Sequence, residues 1–154
     1  MTRLETLSEG EVKKLKEVEL PIFETFPWIE GGPLNKRRVA LISTAGIHRR
    51  QDRPFTIDSE DVYRLIPGDV KAGDLVMSHV SVNFDRNGFQ QDLNVIFPID
   101  ILRKLVEEGY VGSLADYHYS FMGAQDPTKM EEQARNLAGL LKKDNVDTVF
   151  LVPV

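Results

Sequence analysis

The sequence predicts an α/β domain: an open, three-layer sheet of mostly parallel strands, incomplete at its C-terminus. Three observations carry this. Two near-continuous apolar runs, Val39–Ser43 and Asp74–His79, have the pattern of strands buried on both faces. Strand patterns alternate with helical patterns from residue 98 onward, which argues for parallel pairing through right-handed crossovers. The last stretch, 147–153, reads as a further buried strand, with no loop or helix after its C-terminal end. In an open α/β sheet that end is where ligands and reacting groups sit. The expectation is therefore that these 154 residues are the front part of a longer enzyme.

The elements follow in order. Ser8 and Glu11 fit a capping box before a short charged helix, roughly 11–18. Residues 20–33 hold three prolines and two glycines, which forbid long regular structure, yet they also carry Ile22, Phe23, Phe26, Trp28 and Ile29. Such an apolar load predicts an arm packed on the domain or, alternatively, on a partner subunit, which leaves a homo-oligomer open. Residues 1–35 are thus an N-terminal helix and arm, and 36–154 the α/β domain. Pro98 to Glu108 reads as a helix, with Ile101, Leu102, Leu105 and Val106 on one face and Gly109 as its stop. Tyr110–Leu114 is a short strand. Asp126-Pro127 is a helix start, and Met130, Ala134, Leu137, Ala138 and Leu141 recur at helical spacing toward Lys143.

Composition narrows the function. Apolar residues at 42% and charged residues at 28% are ordinary for a soluble globular domain. A net charge of -5 argues against a nucleic-acid partner, and the Lys36-Arg37-Arg38 cluster reads as a solvated face. No N-terminal signal and no membrane-length apolar run is visible, so a cytoplasmic location is expected. The absence of cysteine removes disulfides and thiolate metal sites. Thr44-Ala-Gly46 follows a strand, but one glycine does not make a dinucleotide fingerprint.

The candidate chemistry lies with three histidines. His48, His79 and His118 each fall just beyond a proposed strand, so parallel, adjacent strands would bring all three to one rim. Asn83, Asp85, Asn87, Asp92 and Asn94 follow in nearby loops. This set can orient a substrate, move protons or bind a metal; the irregular spacing makes the metal reading the weakest, and none is expected. Arg49, Arg50 or Arg64 could pair with an anion. No serine sits in a nucleophile elbow, so no reactive centre is evident.

Six short motifs, taken together, resemble one family. Thr44-Ala-Gly-Ile-His48, Tyr63-Arg-Leu-Ile-Pro67, Ser78-His79, Asp92-Leu-Asn94, Phe97-Pro-Ile-Asp100 and His118-Tyr-Ser-Phe-Met-Gly123 occur in this order in the selenoprotein B family of glycine, sarcosine, betaine and D-proline reductases. The resemblance runs from Arg38 to Val154. It implies reductive cleavage of a C–N bond in an amino acid or its N-methyl derivative. It also implies a selenocysteine or cysteine just after Val154, a pyruvoyl group on a partner subunit, and a thiol electron carrier. This chain would carry no cofactor of its own and would be inactive alone. By resemblance Thr44, Gly46 and His48 form the first rim loop, His79 and His118 border the selenol, and Arg49, Asp92 and Asn94 join Thr44 and Gly46 as substrate-binding candidates. The competing expectation is a non-catalytic accessory or amino-acid-binding domain using the same histidine-lined rim.

Overall fold

The computed structural model describes residues 4–18, 22, 24–25, 29–56, 63–81, 86–123 and 125–154. In chain order its elements are α1 (Glu9–Lys16), β1 (Arg38–Ser43), β2 (Ile47–Arg49), β3 (Tyr63–Pro67), β4 (Leu75–Met77), α2 (Asn87–Gln91), α3 (Ile99–Glu107), β5 (Ser113–Leu114), β6 (Tyr117–Phe121), α4 (Glu131–Lys143) and β7 (Thr148–Val152), with short 3-10 turns between.

β1 is the centre of a five-stranded sheet. It pairs in parallel with β7 from Val39 opposite Thr148 to Ser43 opposite Val152. A strand has two edges, so β5 and β6 share the other one: β5 meets Arg38 and Val39, and β6 meets Ile42 and Ser43. β3 lies outside β6 and runs antiparallel to it. The fold is thus α/β with a mostly parallel sheet, as the sequence predicts.

Alternation along the strands separates two cores. Leu41 and Ile66 point into the larger one, with Ile47 and Leu75 of an antiparallel β2–β4 ribbon and Phe97, Ile99 and Leu102 at and within α3. Tyr119 and Phe121 point the other way, onto Leu137 of α4. The strand expected at 74–79 is therefore β4 of the ribbon, not a member of the main sheet. The reason is the left-handed Gly46 (φ 63°), which turns the chain back over the sheet after β1.

Between Val39 and Ile42 the β1 chain advances three residues while its partner advances five, from Leu114 to Tyr119. The excess forms a bulge, and several of its backbone groups find partners outside the ladder. Leu114 O accepts from the Arg38 guanidinium. Asp116 N–H donates to Asp144 Oδ2 at 2.8 Å, and Asp116 O accepts from Gly68 N–H at 2.8 Å. Leu41 N–H, which faces the gap on β1, donates to Nδ1 of His118 at 3.0 Å. A side chain here takes the place of a main-chain carbonyl.

α1 begins two residues earlier than expected, capped by Ser8 with both bonds of the capping box formed. Among described residues 4–36 none is buried. Ile22 and Ile29 are 94% and 86% exposed, so the expected packing of the arm on the domain is not found at these positions. Phe23, Phe26 and Trp28 lie outside the described residues. In place of one helix from Asp126, a 3-10 turn (Pro127–Met130) capped by Asp126 leads into α4.

Candidate functional site

The C-terminal ends of β1 and β7 meet in a small cluster. Thr44 follows β1, and its Oγ1 accepts from Val154 N–H at 2.8 Å and lies 3.3 Å from Val154 O. The hydroxyl thus extends the β1–β7 pairing by one step. Gly123 N–H donates to Thr44 O at 2.9 Å, and a Cβ on Gly123 would meet Thr44 side-chain atoms at 3.0 Å. Gly46 closes the cluster: a Cβ there would meet Met122 Cε at 2.9 Å and His79 Cα at 3.1 Å. Thr44, Gly123 and Val154 are therefore direct neighbours, and the turn at Gly46 packs against the His79 backbone. The ribbon continues to this point, where Ser78 N–H donates to Gly46 O at 3.0 Å.

His79 is buried. Its Nδ1 accepts from Ser81 N–H at 3.1 Å, which places the proton of the neutral ring on Nε2. Burial, with the nearby Arg86 charge second, holds its pKa below the ordinary histidine value. At neutral pH it is an uncharged ring able to donate from Nε2. Arg86, which sequence reasoning missed, donates to His79 O at 2.8 Å and fixes this loop. Asn83 and Asp85 lie outside the described residues.

The other two histidines do not share the rim. His118 lies inside β6, fully buried, and its Nδ1 is taken by Leu41 N–H. Burial first, then the Arg103 charge, pushes its pKa down to about 4. His48 lies in β2, where alternation turns Ile47 to the sheet and His48 to the far side of the ribbon, edge-on to Phe55 (centroids 6.3 Å). Its Nδ1 lies 2.7 Å from Arg49 O, an acceptor only, so Nδ1 carries the proton and Nε2 is the basic nitrogen of the neutral ring.

The remaining candidates are engaged elsewhere. Arg49 is paired through Nε and a terminal nitrogen with Asp52, at the end of β2 away from Gly46. With Arg50, Lys71, Asp69 and Asp74 it lines a groove of about 650 Å³. Arg64 bonds to the Arg53 and Pro54 carbonyls and stands 4.5 Å over the Phe55 ring, pinning that segment to β3. Asp92 caps a 3-10 turn by accepting from Asn94 N–H, and Asn94 Oδ1 accepts from Asp100 N–H in the first turn of α3. Among the described residues no group of three His, Asp or Glu is placed to hold a metal.

The comparisons with known proteins agree on one family. The family model described as glycine/sarcosine/betaine reductase selenoprotein B matches residues 10–154. The D-proline reductase subunit gamma of Acetoanaerobium sticklandii is 34% identical over 141 residues, which are 88% of this chain and 56% of that subunit. The glycine reductase complex component B subunit gamma of Symbiobacterium thermophilum is 30% identical over 91% of this chain and 35% of its own length. The betaine reductase complex component B subunit beta of Peptoclostridium acidaminophilum is 30% identical over 77% of this chain and 28% of its own. The chain thus spans about half the length of the first relative and about a third of the others. No solved structure matches. By the match over residues 10–154, this chain belongs to the selenoprotein B family of glycine, sarcosine and betaine reductases.

Proposed function

We propose that this chain is the N-terminal part of a selenol- or thiol-dependent reductase subunit that cleaves a C–N bond in a small amino acid or N-methylated derivative. The observation that carries the reading is the meeting of Thr44 and Gly123 at the C-terminal end of β7, with Gly46 and the His79 backbone in the adjoining turn. In an α/β sheet this is the ligand-binding end, and the family match covers every residue involved.

In this proposal the selenocysteine or cysteine follows residue 154. As its anion it supplies the nucleophile. Thr44 fixes the direction in which the strand leaves the sheet. His79, neutral and protonated on Nε2, donates a hydrogen bond toward developing negative charge. A pyruvoyl-bearing subunit and a thiol carrier would complete the reaction, and this chain without the redox residue would not turn over. His118 and His48, at their observed positions, serve the scaffold.

The test is the nucleotide sequence past codon 154. An in-frame UGA or cysteine codon, followed by an open frame encoding a cysteine and a helix, is expected. A UAA or UAG stop with no homologous continuation would overturn the proposal.

A further inference from the structure

β7, Thr-Val-Phe-Leu-Val, has one partner strand among the described residues. The register fixes where its groups point. Asp147 N–H donates to Arg38 O at 3.2 Å, and Thr44 N–H donates to Val152 O at 3.1 Å. In a parallel ladder a residue's N–H and C=O face the same neighbour. Val39 O and Leu41 N–H face β5 and β6, so the N–H groups of Thr148, Phe150 and Val152 turn toward β1 and those of Val149 and Leu151 outward.

The side chains are as uncovered as the edge. Phe150 lies opposite Leu41, on the α3 face, and is 45% exposed; Leu151 lies opposite Ile42, on the α4 face, and is 65% exposed. Natural edge strands are usually blunted by charge, proline or a bulge within the strand. β7 has none of these within its span, and its composition is that of an interior strand, buried on both faces.

We propose that the outer edge and both faces of β7 form the docking surface for one further βα unit, supplied by the polypeptide beyond residue 154 in the full-length subunit. This rests on the functional reading above, in which the natural subunit is longer. The aligned residues are only 56% of the D-proline reductase subunit, so the remainder has room for a βα unit of roughly 30 residues. The incoming strand pairs with the N–H groups of Val149 and Leu151, and its helix covers Phe150 or Leu151. A second copy joined edge to edge would satisfy the same N–H groups, but it would extend the uncovered faces across two strands.

Hydrogen exchange on two forms of the protein tests this: the chain ending at 154, and the chain read through into the downstream frame with any UGA replaced by a cysteine codon. In the short form the amides of Val149 and Leu151 should exchange far faster than those of Thr148, Phe150 and Val152. In the long form all five should be slow. Leu151→Asp should leave the melting temperature of the short form unchanged and lower that of the long form. If the frame closes at codon 155, both the functional reading and this inference fall. If the frame continues but the two outward amides stay fast, only this inference falls. Protection in the short form accompanied by a dimer in sedimentation would assign the edge to a second copy instead and would also overturn it.

Discussion

Acidification should destabilise this domain through His118, by an amount the structure sets. The ring is fully buried, and Nδ1 must stay unprotonated to accept from Leu41 N–H. Its folded pKa is about 4 against an ordinary 6.5. Between those values the unfolded chain binds a proton that the folded one does not. Stability is therefore complete above pH 6.5 and falls as the pH drops toward 4. At ~1.4 kcal/mol per pKa unit, the loss approaches about 3 kcal/mol at the bottom of that window. His118→Asn is the informative variant, because its side-chain oxygen can accept from Leu41 N–H but does not titrate. It should start less stable by roughly 1–3 kcal/mol, since ring volume is lost from the core. Urea denaturation followed by circular dichroism, from pH 7.5 to 4, should show the wild-type advantage shrinking by about 3 kcal/mol. Carboxylate titrations are common to both proteins and cancel in the difference. Parallel stability curves, or a His118 resonance titrating near 6.5, would refute the reasoning.

Further predictions concern the other fixed points. Gly46→Ala should cost about 1–2 kcal/mol for the left-handed backbone plus repacking against Met122 and His79, whereas Gly109→Ala, at φ 77° with open space around it, should cost only the backbone part; thermal melts separate the two. Arg86→Ala should raise the His79 pKa part of the way toward its ordinary value, read by NMR titration, because the cation is removed while burial remains. Burial raises the Asp144 pKa, but the hydrogen bonds from Arg38 and Asp116 N–H outweigh it, so the net shift is downward. Its contribution should be present above the ordinary carboxylate value and lost below about pH 4. Asp144→Ala should cost roughly 1–3 kcal/mol in urea unfolding, since Asp116 N–H loses its partner and Arg38 loses one of its two carboxylates.

Much of the fold could be read from the sequence wherever burial and side-chain pattern coincide. β1 is an apolar run because both faces of the central sheet demand it, β7 is one although its faces are largely exposed, and α3 and α4 show their apolar stripes plainly. β6 escaped because two of its inward positions are His118 and Ser120. Each is buried, and each bonds a backbone N–H of another strand, so the apolar alternation is broken by polar residues that the core accepts. β3 escaped for a similar reason: Arg64 faces inward and is held by backbone carbonyls. The rim was half legible. The turn at Gly46, just after Thr44, does meet the His79 backbone, because Gly46 folds the ribbon back over the end of β1. The same reversal carries His48 to the ribbon's far side and Arg49 to the opposite end, which a reading by loop position could not foresee. Asp92 and Asn94 are placed by capping, a role their residue types already suggested.

The ring that fills the gap in the β1 ladder also has a consequence for assembly of the fold. Main-chain ladders are chemically uniform, so one register can mimic another at the cost of misplaced side chains. A ladder that needs an imidazole nitrogen at one rung cannot be imitated this way. A slip of one residue would swing His118 to the α4 side and leave Leu41 N–H buried with no acceptor. His118 therefore acts as a key: only one alignment of β1 and β6 lets it turn, and that alignment is the one that brings Gly123 to Thr44.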